Sequence, residues 1–191
     1  MYRKNRKQNT MDFKAVLSLL LKKFDENNVN YALMGGFALG LCGVGRTTVD
    51  IDFLVSRDDV KQIEKIMTEA GYECRYRSEN VSQYISPLAV FGEVDFLHAF
   101  RKTSLEMLKR AQEKGIFNNS LKIRVLMPED LVGLKLQAIK NDPKRFQKDM
   151  TDIESLLNIY GRELDRSLLK QYFYLFDMQD LYKKLIEEKN G

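Results

Sequence analysis

Asp50 and Asp52 are the residues whose type and spacing point most directly to a chemistry. They stand in Val49-Asp50-Ile51-Asp52-Phe53, where acid and apolar side chains alternate. In a strand, residues two apart point to the same face, about 6.5–7 Å apart along the backbone. The two carboxylates then share one face, and Ile51 and Phe53 take the other. Like charges on one face repel unless a cation lies between them. Mg²⁺ suits that role because it takes hard oxygen ligands and keeps sites open for substrate phosphates. Thirteen residues upstream is Gly35-Gly36, whose backbone N–H groups could approach a polyphosphate with no Cβ in the way. Downstream, Asp95 lies in Gly92-Glu93-Val94-Asp95-Phe96-Leu97, again an acid between apolar residues, with Glu93 on the same face as the alternative. Two-metal phosphoryl chemistry needs ligands for both ions and a group near the attacking hydroxyl. An Asp-x-Asp triplet alone also fits a solvated strand face. The glycine pair and the third carboxylate favour the phosphoryl reading.

The elements that must position these groups can be read from periodicity. Residues 11–27 carry Phe13, Val16, Leu17, Leu20, Leu21 and Phe24 at helical spacing. Tyr31–Met34 reads as a first strand, Phe37–Cys42 as a short helix and Val49–Val55 as a second strand. A helix over 58–70 has Asp58 and Asp59 in its first turn and Gly71 past its end. Strands follow from Tyr72 to Phe100, with turns near Ser78–Asn80 and Gly92. Thr103–Lys114 reads as a helix ended by Gly115, and Leu121–Leu126 as a further strand. After Pro128 four helical segments follow: Glu129–Ile139, Arg145–Tyr160, Leu164–Phe176 and Gln179–Glu188. The pattern predicts a flexible basic arm over 1–10, an α/β core over 11–126 and a helical C-terminal subdomain over 127–191.

The combination Gly35-Gly36, Arg46-x-Thr48-x-Asp50-Ile51-Asp52 and a strand-borne Asp95 resembles the nucleotidyltransferase fold shared with DNA polymerase beta. The downstream residues Pro128-Glu129-Asp130-Leu131, Lys135, Ala138, Arg145, Lys148-Asp149, Asp152 and Leu156-Leu157 resemble the AbiEii-type family of nucleotidyltransferase toxins and its minimal relatives. The resemblance implies a mixed central sheet flanked by helices, with C-terminal helices closing the other wall of a cleft. It makes Asp50 and Asp52 ligands of catalytic Mg²⁺ (or Mn²⁺), and Asp95 a ligand of the second ion or the base for the acceptor hydroxyl. Gly35 and Gly36 would contact the triphosphate, Arg46 and Thr48 would lie near the nucleotide, and Lys135 would reach a phosphate. The family often has Gly-Ser where this chain has Gly-Gly. The implied substrates are an NTP and an acceptor of the tRNA, protein or small-molecule kind, and the implied partner is a cognate antitoxin. Asp149 and Asp152 share a helix face, which either lines the cleft or forms an acidic stripe balanced by Lys144, Arg145 and Lys148. Arg145 is also spaced to pair with Asp149.

Composition narrows the alternatives. The chain of 191 residues carries 31 Lys+Arg against 27 Asp+Glu. Arg3, Lys4, Arg6 and Lys7 account for the whole excess, so residues 11–191 are neutral. That is not the footprint of a domain built on a basic nucleic-acid face. No apolar run approaches a membrane span, and no signal-peptide pattern opens the chain, so a cytoplasmic location is expected. Two cysteines and one histidine cannot supply an ordinary zinc site. Neither a dinucleotide fingerprint nor a Walker motif occurs, and Ser/His/Asp catalysis has no G-x-S-x-G. His98 fits either a packed position or the cleft. A nucleotide-binding module without turnover, or a protein that docks RNA or an acidic partner through its arm, is the alternative of another class.

Overall fold

The first helix, α1 (Phe13–Glu26), starts where the Asp12 carboxylate accepts the Ala15 N–H at 3.0 Å, and it buries Val16, Leu17, Leu20, Leu21 and Phe24. Satisfying an otherwise open N–H of the first turn is what favours Asp at this place. The computed structural model describes residues 11–187. The basic arm expected over 1–10 lies outside the described residues.

Strands β1 (Tyr31–Met34), β2 (Asp50–Ser56), β3 (Glu73–Arg77), β4 (Val81–Ile85), β5 (Glu93–Ala99), β6 (Gln112–Ile116) and β7 (Leu121–Val125) form one mixed sheet in the order β3-β4-β5-β2-β1-β7-β6. Strand β2 runs antiparallel to β1 and parallel to β5. Its burial alternates over Asp50–Phe53 as the sequence predicts and is then continuous: Ile51, Phe53, Leu54 and Val55 are fully buried, and Asp50 and Asp52 are half-buried on the face opposite Ile51 and Phe53. On the apolar face, Phe24 of α1 meets Phe53 edge-on at 5.3 Å, and Phe53 stacks on Phe96 of β5 at 5.7 Å. Helix α3 (Val60–Glu69) adds Ile63, Ile66 and Met67 to the buried set. Helix α2 (Gly35–Leu41) follows β1 without a linker, so the glycine pair forms its first two residues. The sequence reading had started that helix at Phe37.

Helix α4 (Lys102–Arg110) ends four residues before the expected point, and Gly115 is a strand residue. Two interactions explain the difference. Arg124 Nη2 donates to the Leu108 carbonyl at 2.5 Å, satisfying a group that the last helical turn leaves open. Residues 112–116 then pair antiparallel with β7 across a turn in which Phe117, Asn118 and Asn119 all have positive φ.

The described chain divides into two compact units, one of residues 11–37 and 47–125 and the other of 38–46 and 126–187, with the first boundary inside α2. The first unit holds the sheet. The second is helical: α5 (Pro128–Asn141), α6 (Phe146–Tyr160), α7 (Arg166–Leu175) and α8 (Gln179–Tyr182), then a π-helical turn over Lys183–Glu187. Gly133 of α5 lies against the Tyr172 ring of α7, where a Cβ would sit 2.9 Å from ring carbons. The Tyr172 hydroxyl donates to the buried Asp130 carboxylate at 2.6 Å. Among the described residues no helix is long and apolar enough to cross a membrane.

His98 is packed. Its Nδ1 lies 3.0 Å from the Glu79 carbonyl and its Nε2 3.0 Å from the Ser82 hydroxyl. A carbonyl only accepts, so Nδ1 carries the proton and Nε2 accepts from Ser82. Burial pushes the ring below its ordinary 6.5; the Glu79 hydrogen bond opposes this, while the charges of Arg57 and Arg77 add to it. Below pH 6.5 the unfolded chain therefore binds a proton that the folded chain does not, and stability falls as pH falls. We expect the urea midpoint to drop between pH 7.5 and 5.5, and His98→Gln to remove most of that drop. An equal drop in the variant would show that the fold does not hold the ring neutral.

Candidate active site

Register brings the predicted carboxylates together. In the parallel β2–β5 pair, Asp50 lies opposite Glu93 and Asp52 opposite Asp95. Paired residues of adjacent strands share a face, so Asp50, Asp52, Glu93 and Asp95 all stand on the face opposite the aromatic core. Thr48 Oγ1 donates to Asp50 Oδ1 at 2.7 Å, and Gln83 Nε2 of β4 donates to Asp95 Oδ2 at 2.8 Å. Asp95 Oδ1 is buried and has no hydrogen-bond partner. Burial raises the Asp95 carboxyl above its usual range. The Gln83 bond opposes the rise, and the charges of Asp50 and Glu93 add to it.

Gly35 is required on two grounds. Its φ is +67°, which costs an L-residue about 1–2 kcal/mol. A Cβ there would also lie 2.5 Å from Asp52 Cγ and 2.8 Å from Asp52 Cβ, so the close approach of the Asp52 carboxylate to the start of α2 depends on glycine. Gly36, the next residue of α2, is buried.

The cations singled out in sequence belong to the second unit. Lys135 Nζ of α5 lies 2.7 Å from both Asp149 Oδ1 and Asp152 Oδ2 of α6. Arg46 Nη1 pairs with Asp152 Oδ2, and Arg145 Nε reaches Asp149 Oδ2 at 2.8 Å. The charges alternate along Arg46, Asp152, Lys135, Asp149 and Arg145, three cations against two acids. Burial alone would raise the Asp149 carboxyl, but the hydrogen bonds from Arg145 and Lys135 outweigh it and hold it below the usual range. Asp149 and Asp152 are thus partners of Lys135 and Arg46, and the i, i+4 pairing of Arg145 is realised as well. Gln83 escaped the sequence reading. Its only signal was a polar residue on the same strand face as Val81 and Ile85.

A family model described as an uncharacterised nucleotidyltransferase matches residues 1–180. The chain belongs to this nucleotidyltransferase family. It is therefore an enzyme of nucleotidyl transfer. Solved structures share the fold. The antibiotic-resistance factor ANT(2″)-Ia matches at TM-score 0.63 and 15% identity, covering 91% of this chain and 99% of that one. The lincosamide antibiotic adenylyltransferase LnuA, solved with lincomycin, matches at 0.55 and 15%, covering 78% and 99%. An antigenic nucleotidyltransferase-like protein from Paracoccidioides brasiliensis matches at 0.53 and 18%, covering 90% and 92%. At such identities the likeness is one of fold. No curated protein matches the sequence. The family match stands at the level of nucleotidyltransferases, one step coarser than the AbiEii-type resemblance.

Gly35→Ala is expected to keep the fold, at a cost of about 1–2 kcal/mol, yet to lose nucleotidyl transfer because Asp52 is displaced; wild-type rates in that variant would show that Asp52 has no part in the site. Asp149→Ala removes a fully buried charge from between Lys135 and Arg145. It should cost about 3–5 kcal/mol in denaturant unfolding, whereas Asp149→Asn, which keeps an acceptor oxygen, should cost less.

Proposed function

We propose that the enzyme moves a nucleoside monophosphate from an NTP to a hydroxyl acceptor, with Mg²⁺ (or Mn²⁺) held at Asp50, Asp52 and Asp95. The observation that carries this reading is the convergence of those three carboxylates on one sheet face beside Gly35. The donor set fits the ion: all are hard oxygens, and the buried Asp95 Oδ1 has no partner within the protein. Among the described residues no group of three or more His, Cys, Asp or Glu side chains closes into a cage for a metal. Mg²⁺ binds through one or two carboxylates together with substrate phosphates, so Asp50, Asp52 and Asp95 would be divided between two ions. Bound there, the metal would neutralise charge on the attacking and leaving oxygens.

The acceptor oxygen forms its bond to the α-phosphorus, the bond from that phosphorus to the pyrophosphate oxygen breaks, and the hydroxyl proton passes to Asp95. Thr48 fixes the Asp50 carboxylate, and Gly35 and Gly36 offer backbone N–H groups to the triphosphate; the family resemblance would have Arg46 and Lys135 meet the nucleotide. The resemblance leaves the acceptor among tRNA, protein and small molecules; of the fold neighbours, one is an antibiotic-resistance factor and another a lincosamide antibiotic adenylyltransferase. The AbiEii-type resemblance supports a toxin role with a cognate antitoxin, in the cytoplasm.

Thermal melts with each NTP, with and without Mg²⁺, test the donor side. A ligand at 100 times its dissociation constant stabilises by about 2.7 kcal/mol, which at this chain length raises Tm by roughly 5–10 °C. A metal-dependent rise with at least one NTP is expected; none with any NTP overturns the reading. Asp50→Asn and Asp52→Asn should each abolish transfer of label from an α-labelled NTP while the protein stays folded.

A further inference from the structure

The site face does not stop at β5. Register carries the row of Asp52 and Asp95 on to Gln83 of β4 and from there to Tyr76 of the edge strand β3. Tyr76 is on this face because of an irregularity. Cys74 pairs with Tyr84 and Tyr76 with Gln83, so β3 advances two residues where β4 advances one, and Arg75 is the extra residue of a β-bulge. Bulges of this kind re-aim side chains and are over-represented beside active sites. Without the bulge, Tyr76 would point the same way as Cys74, which faces the buried Tyr84 side of the sheet.

The neighbouring contacts agree. Arg75 Nη1 lies 3.3 Å from Glu93 Oε1, on the site face. Arg77 pairs with Ser82, whose hydroxyl touches the packed His98, and it reaches Glu64 of α3 at 2.6 Å on the other face. Tyr76 is half exposed, at 52%. Two strand spacings put it about 10 Å from Asp95.

Gln83 ties the row together. Its amide holds Asp95 Oδ2 and leaves Oδ1 as the oxygen without a partner. The Arg75–Glu93 pair is solvent-exposed, and pairs of that kind hold weakly enough to be exchanged for a phosphate. At the same end of β5, Gly92 has φ +61° and a Cβ there would meet Met11 Sδ at 2.9 Å. The Asp12 N–H donates to the Val90 carbonyl at 2.8 Å. Met11 and Asp12 therefore lie against the turn that leads into β5.

We propose that this face is the acceptor platform and that its occupant is the end of an RNA strand. The terminal ribose hydroxyl sits at Asp95, a base stacks on Tyr76, and Arg75 meets a phosphodiester; Gln83 is a positioning residue that orients Asp95. This rests on the role given to Asp95 above. A planar ring on an open face and an arginine beside it fit a polyanion that carries bases. A ring-free polyhydroxyl acceptor would use none of them.

The test is fluorescence anisotropy of a short fluorescein-labelled single-stranded RNA with the full chain. Tyr76→Ala should weaken binding about 5- to 150-fold, the effect of one lost base stack. Tyr76→Phe should stay within about twofold, since stacking does not use the hydroxyl, and Arg75→Gln should reduce the salt dependence by about one phosphate contact. Tyr174→Ala, an exposed tyrosine of the second unit, should bind as wild type. Wild-type protein that binds no RNA, Tyr76→Ala that binds like wild type, or free adenosine competing as tightly as the RNA would each overturn the assignment. The NTP-dependent rise in Tm is expected to survive Tyr76→Ala, so failure here and failure of the donor reading are told apart.

Discussion

Strand β2 sits between two demands. Ile51, Phe53 and Val55 are driven into the core, while Asp50 and Asp52, one residue out of phase, are placed together on the other face. The magnitudes decide which demand governs. Burying three such side chains contributes about 1.5–3 kcal/mol each, whereas like charges on one sheet face cost less than about 1 kcal/mol. A slip of one residue would send both aspartates inward and the apolar set outward. The core therefore dictates the register, and the register places Asp52 opposite Asp95. The electrostatic tension at the carboxylates is a by-product of hydrophobic packing that the rest of the fold tolerates.

The second unit handles charge in the opposite way. Along Arg46, Asp152, Lys135, Asp149 and Arg145 each acid lies between two cations, so no neighbouring pair is repulsive. Asp149 shows how far this goes: it has no solvent exposure, yet two hydrogen-bonded cations outweigh its burial and keep it ionised. The first unit gathers four acids on one sheet face with Arg75 paired to Glu93 at its edge, and the second gathers a net positive charge that its own acids hold in place.

Where a feature follows from alternation or helical spacing, the sequence made it legible. Strand β1, the inward and outward halves of β2, and the choice of Asp95 and Glu93 as acids on one face of a later strand come from a two-residue period; that this face is the face of Asp52 comes from the β2–β5 register. The misses have a common cause, which is dependence on a distant partner. Helix α4 stops early because Arg124, fourteen residues beyond its last residue, takes a carbonyl from its final turn. Gly115 looked like a helix stop because its strand partner Lys122 is set by a later turn. The bulge at Arg75 leaves no mark in the residue pattern, since an extra residue shows only against the partner strand. The pairing of Lys135 with two acids of α6 was within reach by helix faces alone, but Arg46, 106 residues before its partner Asp152, was not.

The boundary inside α2 has an architectural consequence. Residues 38–46 leave the sheet-bearing unit and are counted with the helices after Leu126, and Ala38, Leu39, Cys42 and Val44 of that excursion are buried. The helical unit is thus made of two separate stretches of chain. It is not a cassette: no single cut in the gene can remove it, duplicate it or exchange it for another without dividing the unit. Recombination that swaps the region after Val125 would have to preserve a nine-residue imprint of the old partner, left between the glycine pair and the Asp50 strand.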